Sequence, residues 1–167
     1  MTAPILLFLG NAEAQMLQLP LINSSGVVVA YSKLDIEFKL LLKQIWYLRR
    51  DGYAMRNHIL LHRYIIGAVD RQLVDHVNGD KLDNRKSNLR LCTHSENLSN
   101  RGIQSNNTSG YKGVTWHKSR NKWRAFIIKD RLNIHLGYYT NEREAAIAYN
   151  KAALHYHKEF ALLNEIV

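Results

Sequence analysis

The stretch VDHVNGDKLDNRKSNLRLCTHSEN, from Val74 to Asn97, constrains the fold more than any other part of the chain. Leu73-Val74-Asp75-His76 reads as a short strand, and Asn78-Gly79-Asp80 reads as a turn. Asn88 to Cys92 can form a second strand. Thr93-His94-Ser95-Glu96 then spells a capping box, in which the Thr hydroxyl accepts from the third helical amide while the Glu reaches back. A helix therefore starts near His94 and carries Asn97, Leu98 and Arg101. Two strands and a helix, each bearing polar groups, form a ββα arrangement.

The flanking segments differ from it in periodicity. Residues 1–57 read as a small α+β unit. Gly26 to Tyr31 is a β-branched run and a strand, and Ser32 can cap a helix carrying Leu34, Phe38, Leu41 and Leu42. Asp51-Gly52 supplies a hairpin turn between Trp46-Tyr47-Leu48 and Tyr53-Ala54-Met55. Residues 58–101 hold the ββα core, and the polar run 102–109 reads as a linker. Beyond it, 110–167 predicts three strands (111–116, 122–129 and 133–139) and an Ala-rich helix over about 142–157. Ala145, Ala148, Tyr149 and Ala152 form one stripe, small enough to bring the helix close to the sheet. The fold class is α+β.

Charge narrows the partner. The chain of 167 residues carries a formal +9, and its pI is about 9.7. Such an excess favours a polyanion, because each Lys or Arg placed on a phosphate backbone releases counterions; simple solubility is the bland alternative. Between Gly110 and His135, seven Lys or Arg (112, 118, 120, 122, 124, 129 and 131) face one acid, Asp130. Cys92 is the single cysteine, so no internal disulfide and no Cys-based zinc knuckle can form. Ile5 to Leu9 is apolar and Ala12-Glu13-Ala14 mimics a processing site, but no cation precedes the run and Pro4 interrupts it. That segment reads as ordinary chain, with a strand as one option. The expected setting is intracellular, without membrane contact.

Asp75-His76 is the pair that carries chemistry. Hydrolysis of a phosphodiester needs an activated water, charge relief on the phosphate and help for the leaving oxygen. A His titrating near neutrality meets the first need and a divalent ion the others. Neighbouring strand residues point to opposite faces, so a local twist must displace one of the pair. Asn97 offers an oxygen ligand opposite Asp75, and oxygen-only ligation suits Mg²⁺ or Mn²⁺. A lone Asp-His pair is more often a structural hydrogen bond.

The whole run resembles the HNH family of endonucleases. Leu61-His62-Arg63, Asp83-Asn84-Arg85 and Asn88-Leu89-Arg90 extend the likeness to phage and intron homing endonucleases. The resemblance implies that His76 is the general base, that Asp75 and Asn97 bind the metal, and that Asn88 pins the loop orienting His76. Zinc-binding relatives carry a further His where this chain has Arg101, which points to magnesium and leaves Arg101 for phosphate. His62 either touches the site or is a packed strand residue.

YKGVTWHKSRNKWRAFI, LGYYTNEREAAIAYNKAALHYH and the closing ALLN resemble the plant ethylene-response-factor (apetala-type) DNA-binding domain. In that family the sheet enters the major groove. The resemblance places Lys112, Thr115, His117, Arg124, Phe126 and His135 outward; core packing is the ordinary reading of a Trp and is the one taken for Trp123, with Trp116 left open. Candidate DNA contacts are Arg85, Arg90, Arg101, Lys112, Thr115, His117, Arg120, Lys122, Arg124 and His135. Together the resemblances imply a Mg²⁺- or Mn²⁺-dependent endonuclease acting as a monomer on double-stranded DNA, in a bacterial cytoplasm if phage-encoded. The alternative is a transcriptional or architectural DNA binder that does not cut.

Overall fold

A computed structural model describes residues 16–166; the N-terminal strand option of residues 1–15 lies outside them. The chain divides into two compact units between Leu91 and Cys92. No helix among the described residues is long and apolar enough to cross a membrane.

The first unit is built on a five-stranded sheet. Its strands are β1 (Met16–Ile22), β2 (Val28–Asp35), β3 (Trp46–Leu48), β4 (Ala54–Arg56) and β5 (Ile59–Leu60), in the order β2-β1-β3-β4-β5. Alternation sets the faces: Leu17, Leu19 and Leu21 of β1 are buried, and the residues between them are only partly so. They pack with Leu34, Trp46, Ala54 and Leu89, and with Leu61 and Ile65 of helix α1 (Leu61–Ile66). Asp51-Gly52 turns the β3–β4 hairpin as expected, with Gly52 at φ 88.

Two local expectations fail. Ser32 caps no helix: it is fully buried inside β2, its hydroxyl donating to the Leu82 carbonyl at 3.0 Å, and only a 3₁₀ segment follows at Ile36–Lys43. His62 lies on a helix rather than a strand. In both places burial against the sheet overrides local pattern.

Next come β6 (Leu73–His76), β7 (Leu89–Cys92), which pairs with it, and helix α2 (His94–Ser99). The capping box is present at Thr93 and Glu96. Arg101 falls just past the helix.

The second unit contains a three-stranded antiparallel sheet, order β10-β9-β8, formed by β8 (Val114–His117), β9 (Lys122–Lys129) and β10 (Leu132–Tyr139). Helix α3 (Glu142–His157) packs across it. Its buried stripe is Ala145, Ala146, Tyr149 and Ala153, rotated slightly from the Ala148–Ala152 line, against Val114, Ala125 and Ile127. Gly113 is required here: at φ 72, a Cβ would stand 2.1 Å from the Tyr149 ring and 2.6 Å from the Phe126 carbonyl.

Candidate active site

β6 ends in Asp75 and His76, and both are buried, at 6% and 5% exposure. Their surroundings differ. Arg90, on the neighbouring strand β7, donates from Nε (2.9 Å) and Nη2 (2.7 Å) to Asp75 Oδ2. His76 Nε2 lies 3.3 Å from Asn84 Oδ1. The Asn84 amide nitrogen donates to Ser32 Oγ at 2.8 Å and to the Lys81 carbonyl at 3.3 Å. A carbonyl can only accept, so the amide is fixed with its oxygen towards His76. Neutral His76 therefore carries its proton on Nε2 and its lone pair on Nδ1. Burial lowers the His76 pKa, which keeps the ring neutral at pH 7.

Asn88 closes the loop that leaves His76. Its Nδ2 donates to the Asp83 carbonyl (2.8 Å), its Oδ1 accepts from the Asn78 amide (3.0 Å), and its own carbonyl accepts from the Val77 amide (2.9 Å). Asp83, fully buried, is held by a two-pronged Arg85 contact at 2.7 and 2.6 Å and by Asn78 Nδ2 at 3.0 Å. The Arg85 guanidinium lowers the Asp83 pKa. The loop is also stitched to β2, with the Lys33 amide donating to the Leu82 carbonyl and the Asn84 amide to the Lys33 carbonyl.

Sequence reasoning left His62 open and missed Tyr53. The His62 ring meets His76 edge-on, with centroids 5.1 Å apart, and Tyr53 sits 5.0 Å from His62 and 6.0 Å from His76. The Leu61-His62-Arg63 match was the available signal for His62; nothing local marks Tyr53. Burial, the His76 charge and Arg63 lower the His62 pKa to about 4, with Asp51 opposing.

The drop below the ordinary 6.5 has a consequence for stability. The unfolded chain takes up the proton near pH 6.5, whereas the folded chain resists it until about 4. Stability from neutral His62 is thus complete above pH 6.5 and drains as pH falls towards 4, by on the order of 3 kcal/mol. Urea unfolding at pH 7.5 and 4.5 should show a smaller pH loss in His62→Phe than in wild type. Equal losses would place the acid sensitivity elsewhere.

The Asp75 carboxylate is a hard oxygen donor, of the kind that fits Mg²⁺ or Mn²⁺. Among the described residues no group of three His, Cys, Asp or Glu gathers as a metal site. Such an ion would complete its shell with water and phosphate, as Mg²⁺ ordinarily does.

The HNH endonuclease family matches over residues 56–99, which span this site. A protein described as an uncharacterized HNH endonuclease, from Acanthamoeba polyphaga mimivirus, is 33% identical over 146 residues, 82% of this chain and 75% of its own. The chain belongs to the HNH endonuclease family. Protein 3.8 of Escherichia phage T7 is 35% identical to this HNH endonuclease over 78 residues, 46% of this chain and 64% of the phage protein. No solved structure matches. The family match ends before the C-terminal sheet and assigns nothing to it.

The cations expected on DNA separate into two groups in this nuclease. Arg85 and Arg90 hold Asp83 and Asp75, as above. Lys112 is also turned inward: its ammonium donates to the carbonyls of Ser99 and Arg101, the latter at 2.6 Å. The expectation that Lys112 faces outward fails because the last carbonyls after α2 need donors. Arg101 is exposed.

The remainder share one face of the C-terminal sheet. Ala125 and Ile127 point to α3, so Lys122, Arg124 and Phe126 point away. Their cross-strand partners Thr115, His117, Tyr138 and His135 follow them. Arg120 lies over the Tyr138 ring at 4.7 Å, and His117 and His135 flank the same ring at 5.1 and 4.5 Å. Tyr138 is a centre the sequence reading omitted. Trp123 packs against the helix-side core as expected, and Trp116, 38% exposed, meets it edge-on.

Proposed function

We propose that this HNH nuclease is a metal-dependent DNA endonuclease of the homing type, which hydrolyses one phosphodiester of double-stranded DNA per engagement. The observation that carries the reading is His76 at the end of β6: buried, held by Asn84 with its lone pair on Nδ1, and next in sequence to Asp75. His76 accepts a proton from the attacking water at Nδ1, and the Asn84 bond at Nε2 steadies the imidazolium that results. Asn88 keeps the loop after His76 closed. Arg90 orients the Asp75 carboxylate. Asp75 and, by the family motif, Asn97 would hold a divalent ion, which when bound would supply charge relief at the phosphate. The phage and viral sources of the relatives support a mobile-element role.

The C-terminal sheet is proposed as an ethylene-response-factor-like DNA-binding module. Its three strands, single crossing helix and outward Thr115, His117, Arg120, Lys122, Arg124 and His135 support that reading, with Arg101 as a further phosphate contact. The cations position the protein on the backbone.

The test is the order of strand scission. With one set of motif residues in a monomer, supercoiled plasmid in Mg²⁺ should become open circle before any linear form. Direct conversion to linear DNA, with no open-circle stage, would show paired active sites and overturn single-strand action.

A further inference from the structure

We propose that Lys112, together with His157 and Asp130, is a positioning residue for Asn97, anchoring α2 to the C-terminal sheet module. The inference rests on the reading of Asn97 as a site residue given above.

α2 has six residues, too few to hold its shape alone. Its N-terminal end is satisfied by its own capping box. The rest is held by residues far along the chain. Ser95 Oγ donates to Asp130 Oδ1 at 3.2 Å. Ser99 Oγ, which is buried, lies 3.0 Å from His157 Nδ1 and 2.9 Å from the Ser95 carbonyl. The one hydroxyl proton of Ser99 goes to that carbonyl, so His157 donates from Nδ1. Lys112 Nζ binds the Ser99 and Arg101 carbonyls, two acceptors the helix end cannot satisfy itself. Burial lowers the Lys112 pKa to about 8, which leaves it cationic at pH 7, and the positive charge suits a helix C-terminus.

The geometry of the helix gives these contacts a direction. Ser95 and Ser99 are four apart and share a face, whereas Asn97 lies two residues from each and points roughly oppositely. Asn97 is accordingly exposed while Ser99 is buried. The module grips the back of α2 and presents Asn97 on the front. Lys112 itself is fixed through its backbone, its amide accepted by Asn164 Oδ1 at 2.6 Å and its carbonyl bonded to Asn164 Nδ2 at 3.1 Å. The anchor thus reaches from Lys112, near the start of the module, to Asn164, near its end.

The full-length protein decides the matter through Lys112→Met, which keeps the aliphatic stem and removes the donors. In chelator, its DNA affinity and the salt slope of binding should match wild type within about two-fold. Amide exchange over residues 93–101 should accelerate at least ~10-fold while β9 stays protected. Single-turnover cutting at saturating protein should fall ~10-fold or more with the half-saturating concentration unchanged, and Lys112→Arg should recover part of it. If Lys112→Met folds poorly, Ser99→Ala, which cuts the His157 bond, should give the same local exchange change. Weakened binding with a slope lower by roughly 0.9, and unchanged exchange, would make Lys112 a phosphate contact and overturn the anchor. Asn97→Ala separates the two readings. If it cuts at the wild-type rate, Asn97 has no role in the centre and the anchor has no catalytic meaning. An inactive Asn97→Ala beside a fully active Lys112→Met with native exchange overturns the anchor alone.

Discussion

His76→Ala should cut DNA about 10²- to 10⁴-fold more slowly than wild type at saturating protein, while binding it within a few-fold as tightly. A positioned general base contributes a factor of that size, some 3–5 kcal/mol of barrier. The His76 ring is buried among His62, Tyr53 and Asn84 rather than offered to solvent. Its loss should therefore spare affinity. Asp75→Ala is the less informative variant. Asp75 balances Arg90, whose side chain is 18% exposed, and breaking a buried pair costs about 3–5 kcal/mol. That is a large part of the stability of a small domain, so a dead Asp75→Ala could simply be unfolded. Single-turnover cutting and gel-shift affinity, measured on the same DNA, separate chemistry from binding for His76→Ala. A variant that cut at the native rate would remove His76 from the role of base.

Much of the local fold around the candidate site was legible because its signals are local. The capping box at Thr93 and Glu96 is a four-residue pattern with one geometric solution, and the structure contains it. Asp75, His76 and Asn88 fall in a run whose turn and strand residues leave little freedom. The three strands and α3 of the C-terminal module follow from alternation and from an Ala-rich helical stripe, and α3 has the limits expected. What escaped the sequence depends on contacts across long separations. Ser32 looked like a helix cap until the loop carrying Leu82 and Asn84 claimed its hydroxyl. Asn84 sat inside a recognisable motif, yet its work, fixing the proton on His76, needs Ser32 and Lys81 to set the amide. Lys112 read as one more surface cation in a basic segment. Only the structure shows its ammonium on the carbonyls of Ser99 and Arg101. A charge count cannot distinguish a cation offered to solvent from one spent on the chain's own backbone.

The second large effect is metal removal, and it tests the central claim most directly. Asp75 offers a hard oxygen donor, and an ion held through it would depend largely on water and phosphate for the rest of its shell. Such an ion is held weakly enough for a chelator to strip. On the proposal that the sheet's Lys and Arg carry DNA binding, that binding should not need it. Wild-type protein should therefore bind DNA in EDTA and leave it uncut, then cut that bound DNA when Mg²⁺ or Mn²⁺ is added in excess of the chelator. Scission at full rate in EDTA by metal-stripped protein, or bound DNA left intact in both ions, would contradict the account.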